Sequence, residues 1–180
     1  MNRRSRIRLM SMEPETTLDP QFSSPDVKPT PWSAATDALR EAKTYLLTTV
    51  RPEGRPHQTT VAGIWMDGVF HFGTGPSERK ARNLAAGNHN VLVSVATPAW
   101  EGLDVVIEGE AVPVTDLDRL GRLVEAYATK YDDVFGFRLV DGQVQTRGAE
   151  DPPLFFEVRA RKAFGFGKGA SFSQTRWRFS

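Results

Sequence analysis

The sequence contains no cysteine. That excludes disulfides, thiolate catalysis and thiolate-bound metal or iron–sulfur clusters. Histidine is scarce: His57, His71 and His89 are the only three, with no pair at metal-ligand spacing, so no metal site is expected. Charge of one sign is also lacking. The formal net charge is +1 with 25% charged residues, which argues against wholesale nucleic-acid binding. Long hydrophobic runs are missing too. The basic start Asn2-Arg3-Arg4-Ser5-Arg6 is followed by Glu13, Glu15 and Asp19 instead of an apolar core, so neither a secretory signal nor a membrane span is expected and the default location is cytoplasmic.

The 180 residues suit one domain with a substantial core. Residues 1–30 are polar and rich in proline, which predicts a flexible N-terminal arm, with Met10 and Met12 as alternative starts. Residues 31–180 are read as the folded domain. A short helix from Ser33 turns Ala34, Ala38, Leu39 and Ala42 inward. Tyr45-Leu46-Leu47-Thr48-Thr49-Val50 is rich in strand formers and ends at the turn Arg51-Pro52-Glu53-Gly54-Arg55-Pro56. A second strand runs from His57 to Met66, and Asp67-Gly68 predicts a hairpin into Val69-Phe70-His71-Phe72.

Further strands follow at Val91–Val95 and Leu103–Val114, with Gly109 a candidate bulge. Leu117, Leu120, Val124, Tyr127 and Tyr131 recur at steps of three and four, a long helix capped by Thr115 or Asp116. Asp141-Gly142 suggests a small hairpin. Leu154–Val158 and Ala163–Phe166 read as two late strands, and Thr175–Phe179 as a last one. Many short strands without strand–helix–strand alternation predict a mainly β fold: a small barrel with appended α-helices.

One stretch combines several ligand-binding features. In Phe72-Gly73-Thr74-Gly75-Pro76-Ser77-Glu78-Arg79-Lys80-Ala81, Ser77 is a candidate N-cap, and Gly87 stands where a helix would end. Arg79, Lys80 and Arg82 crowd a helix start, where the dipole disfavours cations. A bound phosphate resolves the conflict; a solvated basic helix start is the alternative. The glycines and the cap hydroxyl in the same few residues favour phosphate.

These features together resemble the pyridoxamine 5′-phosphate oxidase-like split β-barrel flavoproteins over about Ala34 to Phe179. The resemblance implies an FMN-binding-like split barrel forming a homodimer, with the cofactor at the subunit interface. It places the cofactor phosphate on Arg79 and Lys80, with Thr74, Gly75 and Ser77 beside them, and runs the backbone of Thr59, Thr60, Val61 and Ala62 past the ring. Where the authentic oxidase carries a ring-contacting lysine this chain has Ile64, and the oxidase's C-terminal substrate signature is replaced by Thr175-Arg176-Trp177-Arg178-Phe179. Pyridoxamine phosphate oxidation is therefore not expected.

Thr48-Thr49-Val50-Arg51-Pro52-Glu53-Gly54-Arg55-Pro56-His57 and the terminal Arg-Trp-Arg-Phe are more similar to the actinobacterial branch, which includes users of the deazaflavin coenzyme F420. The resemblance implies an F420-dependent reductase that passes a hydride to an activated double bond of a small molecule. Alternatives are an FMN-dependent oxidoreductase or a non-catalytic binder of F420, haem or a tetrapyrrole, with His57 the candidate axial ligand. Trp65, Trp100 and Trp177 are candidate walls of a substrate pocket, with core or dimer packing the favoured alternative for each. Asp104 is a further candidate cofactor contact or a solvent-facing charge. Loops at Thr97–Gly102 and Tyr131–Gly148 are where substrate choice is expected to lie.

Overall fold

The computed structural model describes residues 13–180, so the basic start with Met10 and Met12 lies outside the described residues. Its strands are β1 (Glu15–Leu18), β2 (Tyr45–Val50), β3 (Pro56–Val61), β4 (Gly63–Met66), β5 (Val69–Thr74), β6 (Asn90–Val95), β7 (Gly102–Pro113), β8 (Arg138–Val140), β9 (Gln143–Gln145), β10 (Leu154–Lys168) and β11 (Ser173–Arg178). The helices are α1 (Trp32–Glu41), α2 (Arg79–Ala85) and α3 (Leu117–Lys130). No helix of the described residues is long and apolar enough to cross a membrane.

Six strand positions close a ring. β2 pairs with β3, and β3 passes through the single residue Ala62 into β4, which pairs with β5. β5 pairs with the first half of β10, β10 with β7, β7 with β6, and β6 returns to β2, every pairing antiparallel. Closing the ring removes the exposed edges that an open sheet would leave. This is a split barrel: one run of chain, broken at Ala62, serves two neighbours in turn. The predicted His57–Met66 strand is therefore two strands.

The second half of β10 extends beyond the ring and pairs with β11, which in turn pairs with β1. Part of the predicted flexible arm thus forms an edge strand, with Glu15 opposite Arg178 and Thr16 opposite Trp177. The two late strands expected on either side of Arg159–Lys162 are one 15-residue strand. Its register shifts between Ala160 and Lys162, opposite Gly109. A Cβ on Gly109 would stand 2.3 Å from the Arg159 carbonyl oxygen, so the close approach there requires glycine.

Two apolar clusters hold the fold. Inside the barrel, Leu47, Phe70, Phe72, Val93, Ile107 and Trp177 are fully buried, with Ala35 and Leu39 of α1 closing one end. The buried residues of α1 are Ala35, Thr36 and Leu39; of the expected inward face Leu39 is buried, Ala38 and Ala42 pack half-buried against the core, and Ala34 is half-buried. Each fully buried leucine, valine, isoleucine or phenylalanine of this core contributes on the order of 1.5–3 kcal/mol through burial. A second cluster joins Leu120, Leu123 and Tyr127 of α3 to Phe137, Val144, Phe155 and Ile64. Asp116 caps α3, its carboxylate accepting the Arg119 N–H at 2.8 Å. Leu117, expected in the apolar stripe, is exposed.

Candidate functional site

The turn after β5 gathers a set of donors around one carboxylate. Glu78, rather than Ser77, occupies the N-cap position of α2, and Ser77 is exposed one residue earlier. The Glu78 side chain does not cap the helix. It folds back, and its Oε1 accepts the Gly75 N–H at 2.7 Å and the Thr74 hydroxyl at 3.1 Å. Its Oε2 pairs with the Lys80 ammonium. Burial pushes the Glu78 carboxyl up, but the hydrogen bonds from Lys80, Gly75 and Thr74 outweigh it and hold it below its ordinary value.

The cation of this set is fixed firmly. Lys80 is only 7% exposed although lysine is seldom buried without a partner. One helical turn on, Asn83 is 1% exposed and donates from Nδ2 to the Thr49 hydroxyl of β2 at 2.8 Å. That bond pins α2 across the end of β2. The Asn83 Oδ1 and the His57 Nδ1 are buried without hydrogen-bond partners. His57, on β3, is held below its ordinary value by burial and then by the charges of Arg51, Arg79 and Lys80. The charges of three cations thus act together at His57, a positive field suited to an oxyanion.

From His57 the strand leads through Thr59, half-buried, and Thr60, exposed, to Val61, which is buried in the barrel core. Ala62, half-buried, makes the break. Side chains of α3 and of Tyr131, its C-cap, take up the backbone groups freed there. The Tyr127 hydroxyl donates to the Ala62 carbonyl and accepts the Gly73 N–H, both at 3.2 Å. The Tyr131 hydroxyl accepts the Gly63 N–H at 2.9 Å. The Lys130 ammonium donates to the Gly63 carbonyl at 3.1 Å and to the Tyr45 hydroxyl at 2.7 Å. Burial, reinforced by Lys43, pulls Lys130 down to about 8.

The structure therefore brings Thr74, Gly75 and Lys80 together, with Arg79 exposed beside them and Thr59–Ala62 on the adjoining strand. It does not assemble the tryptophans. Trp65 and Trp177 belong to the barrel core, each edge-on to Trp32 at 6.0 and 5.2 Å. Trp100 is 72% exposed and packs edge-on against Phe172. Trp65 and Trp177 are 8% and 0% exposed, the core packing that the sequence reading offered as their alternative. Asp104 is engaged structurally: it accepts the Thr97 N–H at 2.7 Å and pairs with Lys168 at 3.0 Å.

Glu78, Arg51, Asn83, Lys130 and Tyr131 are contributors that the sequence reading gave no role at the site, Tyr131 having been placed only in the helical stripe. Lys130 and Tyr131 follow Tyr127 at helical spacings of three and four, a polar end to an apolar stripe that signals their shared face. A cavity of about 810 Å³ lies at the other end of β5, lined by His71, Trp65, Arg119 and Arg122; no residue of the Thr74–Lys80 turn lines it.

Residues 32–165 match the model of the family described as pyridoxamine 5′-phosphate oxidase. No curated protein matches the chain. Among solved structures, a conserved hypothetical protein of Mycobacterium tuberculosis is similar at 19% identity and a TM-score of 0.61, over 80% of this chain and 88% of that one. An F420 reductase is similar at 22% identity and a TM-score of 0.52, over 71% and 93%. The haem storage protein HutZ of Vibrio cholerae is similar at 17% identity and a TM-score of 0.58, over 75% and 92%. At these identities the likeness is one of fold.

Proposed function

The chain belongs to the pyridoxamine 5′-phosphate oxidase family, and from that premise we propose that it is a reductase using the deazaflavin coenzyme F420, with FMN as the alternative cofactor of the same seat. The observation that carries this reading is the convergence of the Thr74 hydroxyl, the Gly75 N–H and the buried Lys80 ammonium on a carboxylate. Donors that hold one oxyanion have the chemistry to hold another, and a phosphate group offers more acceptor oxygens. Arg79 and Arg51 stand close enough to His57 to lower its basicity, and so extend the same positive field.

In this reading Lys80, Thr74 and Gly75 bind the phosphate, Arg79 closes over it from solvent, and the Thr59–Ala62 backbone orients the ring. Tyr127, Tyr131 and Lys130 hold that strand at its break, so their role is positioning. Ile64, where the authentic oxidase has lysine, turns into the apolar cluster under α3 and leaves the ring without a charged contact from that position. A reduced deazaflavin held there would supply a hydride for one carbon of an electron-poor double bond, the neighbouring carbon being protonated from solvent once the site reopens. Orientation and exclusion of water are then the protein's contribution. The site is proposed to be completed by a second copy of the chain in a homodimer.

The test is single-turnover oxidation of reduced F420, followed by its absorbance, against a panel of enones. The expected result is stoichiometric loss of the reduced coenzyme with reduction of the carbon–carbon double bond, requiring about ten- to hundredfold more coenzyme in Lys80→Ala. Turnover with reduced FMN alone would transfer the reading to the flavin alternative.

A further inference from the structure

Glu78 occupies the position that the proposed function gives to a phosphate. Its two oxygens take the Gly75 N–H, the Thr74 hydroxyl and the Lys80 ammonium, the donors a phosphate needs. A phosphate can reach Lys80 and the loop donors only after this carboxylate has swung away. The backbone at residue 78 lies between the loop and α2, with its N–H bonded to the Gly75 carbonyl at 3.1 Å and its carbonyl accepting the Arg82 N–H at 3.0 Å. The displaced side chain therefore stays within its own length of the incoming group. Its carboxyl end has room to move, because the side chain is 48% exposed where that of Lys80 is 9% exposed.

We infer that Glu78 is a specificity-determining residue of the cofactor seat: an internal carboxylate that must be displaced, and that then disfavours a doubly charged phosphate more than a singly charged one. This inference rests on the proposed function and adds to it a reason for cofactor choice. FMN carries a phosphomonoester, with a charge of about −1.5 to −2 at neutral pH. The deazaflavin coenzyme carries a phosphodiester, with a single charge at its phosphate. Repulsion from a neighbouring carboxylate grows with the charge of the phosphate group beside it, and partial exposure moderates it without removing it. Arg79, Lys80 and Arg51 attract both ligands, so Glu78 supplies the part of the field that opposes the monoester.

The experiment compares wild type with Glu78→Gln, which keeps the size of the side chain and removes its charge. Dissociation constants for FMN and for F420 are measured by fluorescence at fixed ionic strength, with inorganic phosphate as a competitor in each case. Both ligands are expected to bind more tightly to Glu78→Gln, FMN by about fivefold more than F420. The Gly75 amide resonance, bonded to Glu78 in the free wild type, is expected to shift on adding inorganic phosphate to that protein. Equal gains for the two ligands, no gain, or weaker binding overturn the inference. If binding still falls in Lys80→Ala and phosphate still competes, the proposed function survives that result. Binding that neither Lys80→Ala nor phosphate affects overturns both. Glu78→Asp, which keeps the charge on a shorter side chain, is expected to retain the preference for F420; its loss there would show that shape rather than charge decides, and would also overturn the inference.

Discussion

The two ends of β5 each hold a carboxylate among cations. Near one end, Glu157 of β10 stands opposite His71 and is 4% exposed; it pairs with Arg119 of α3 and with Arg159 at 2.6 Å. At the other end, Glu78 pairs with Lys80 two residues away, and half of its side chain faces solvent. The first pair joins elements 38 residues apart in sequence and closes the joint between α3 and the barrel. The second lies within one turn and joins nothing distant. A buried ion linking separate elements is costly to leave unpaired, whereas a local and half-exposed one is readily exchanged for a ligand. The first is therefore a staple, and the second is suited to opening for a cofactor.

This contrast breaks most plainly at Glu157. Glu157→Ala removes the shared partner of Arg119 and Arg159 and leaves a buried gap beside His71, so a loss of about 2 kcal/mol is expected in urea denaturation. A loss under about 1 kcal/mol would remove the distinction between the two ends. Lys80→Ala is expected to do the reverse: F420 affinity falls about ten- to hundredfold, the worth of a charge-assisted hydrogen bond, while the unfolding midpoint moves little. Titration and thermal melting of the same sample check both halves of that statement.

Smaller effects sharpen the role of α3. Tyr131→Phe leaves the Gly63 N–H without its acceptor and is expected to cost about 1–2 kcal/mol, read by urea denaturation, with faster amide exchange at Gly63. The smallest effect is in pH. Lys130 titrates at about 8 in the folded chain against 10.5 when free, so between these values the unfolded chain binds more protons. Stability is therefore expected to rise as pH climbs from about 8 towards 10, and Lys130→Met should flatten that slope.

Much of the barrel was legible in the sequence because its strands alternate and its turns carry strong signals. Asp67-Gly68 forms the expected hairpin with both residues at positive φ, 55° and 77°. The break at Ala62 was not legible, since β-forming residues continue through it. What makes it is Tyr127 and Tyr131, more than sixty residues away. The single β10 was hidden by its charged run: Arg159 and Arg161 are exposed between the half-buried Ala160 and Lys162, an alternation that looks like a turn when read as composition. At the candidate site, Thr74, Gly75 and Lys80, which the structure brings together, were all named from the sequence, but the direction of the Glu78 side chain was not predictable. An N-cap acid ordinarily reaches forward into its helix, and here the Gly75 N–H and Lys80 draw it back.

The most direct measurement is a parallel fluorescence titration of the wild-type protein with F420 and with FMN, in the presence and absence of inorganic phosphate. The account predicts saturable binding of both, tighter for F420, with phosphate competing in each case. Preference for FMN, or binding that phosphate leaves untouched, would contradict it.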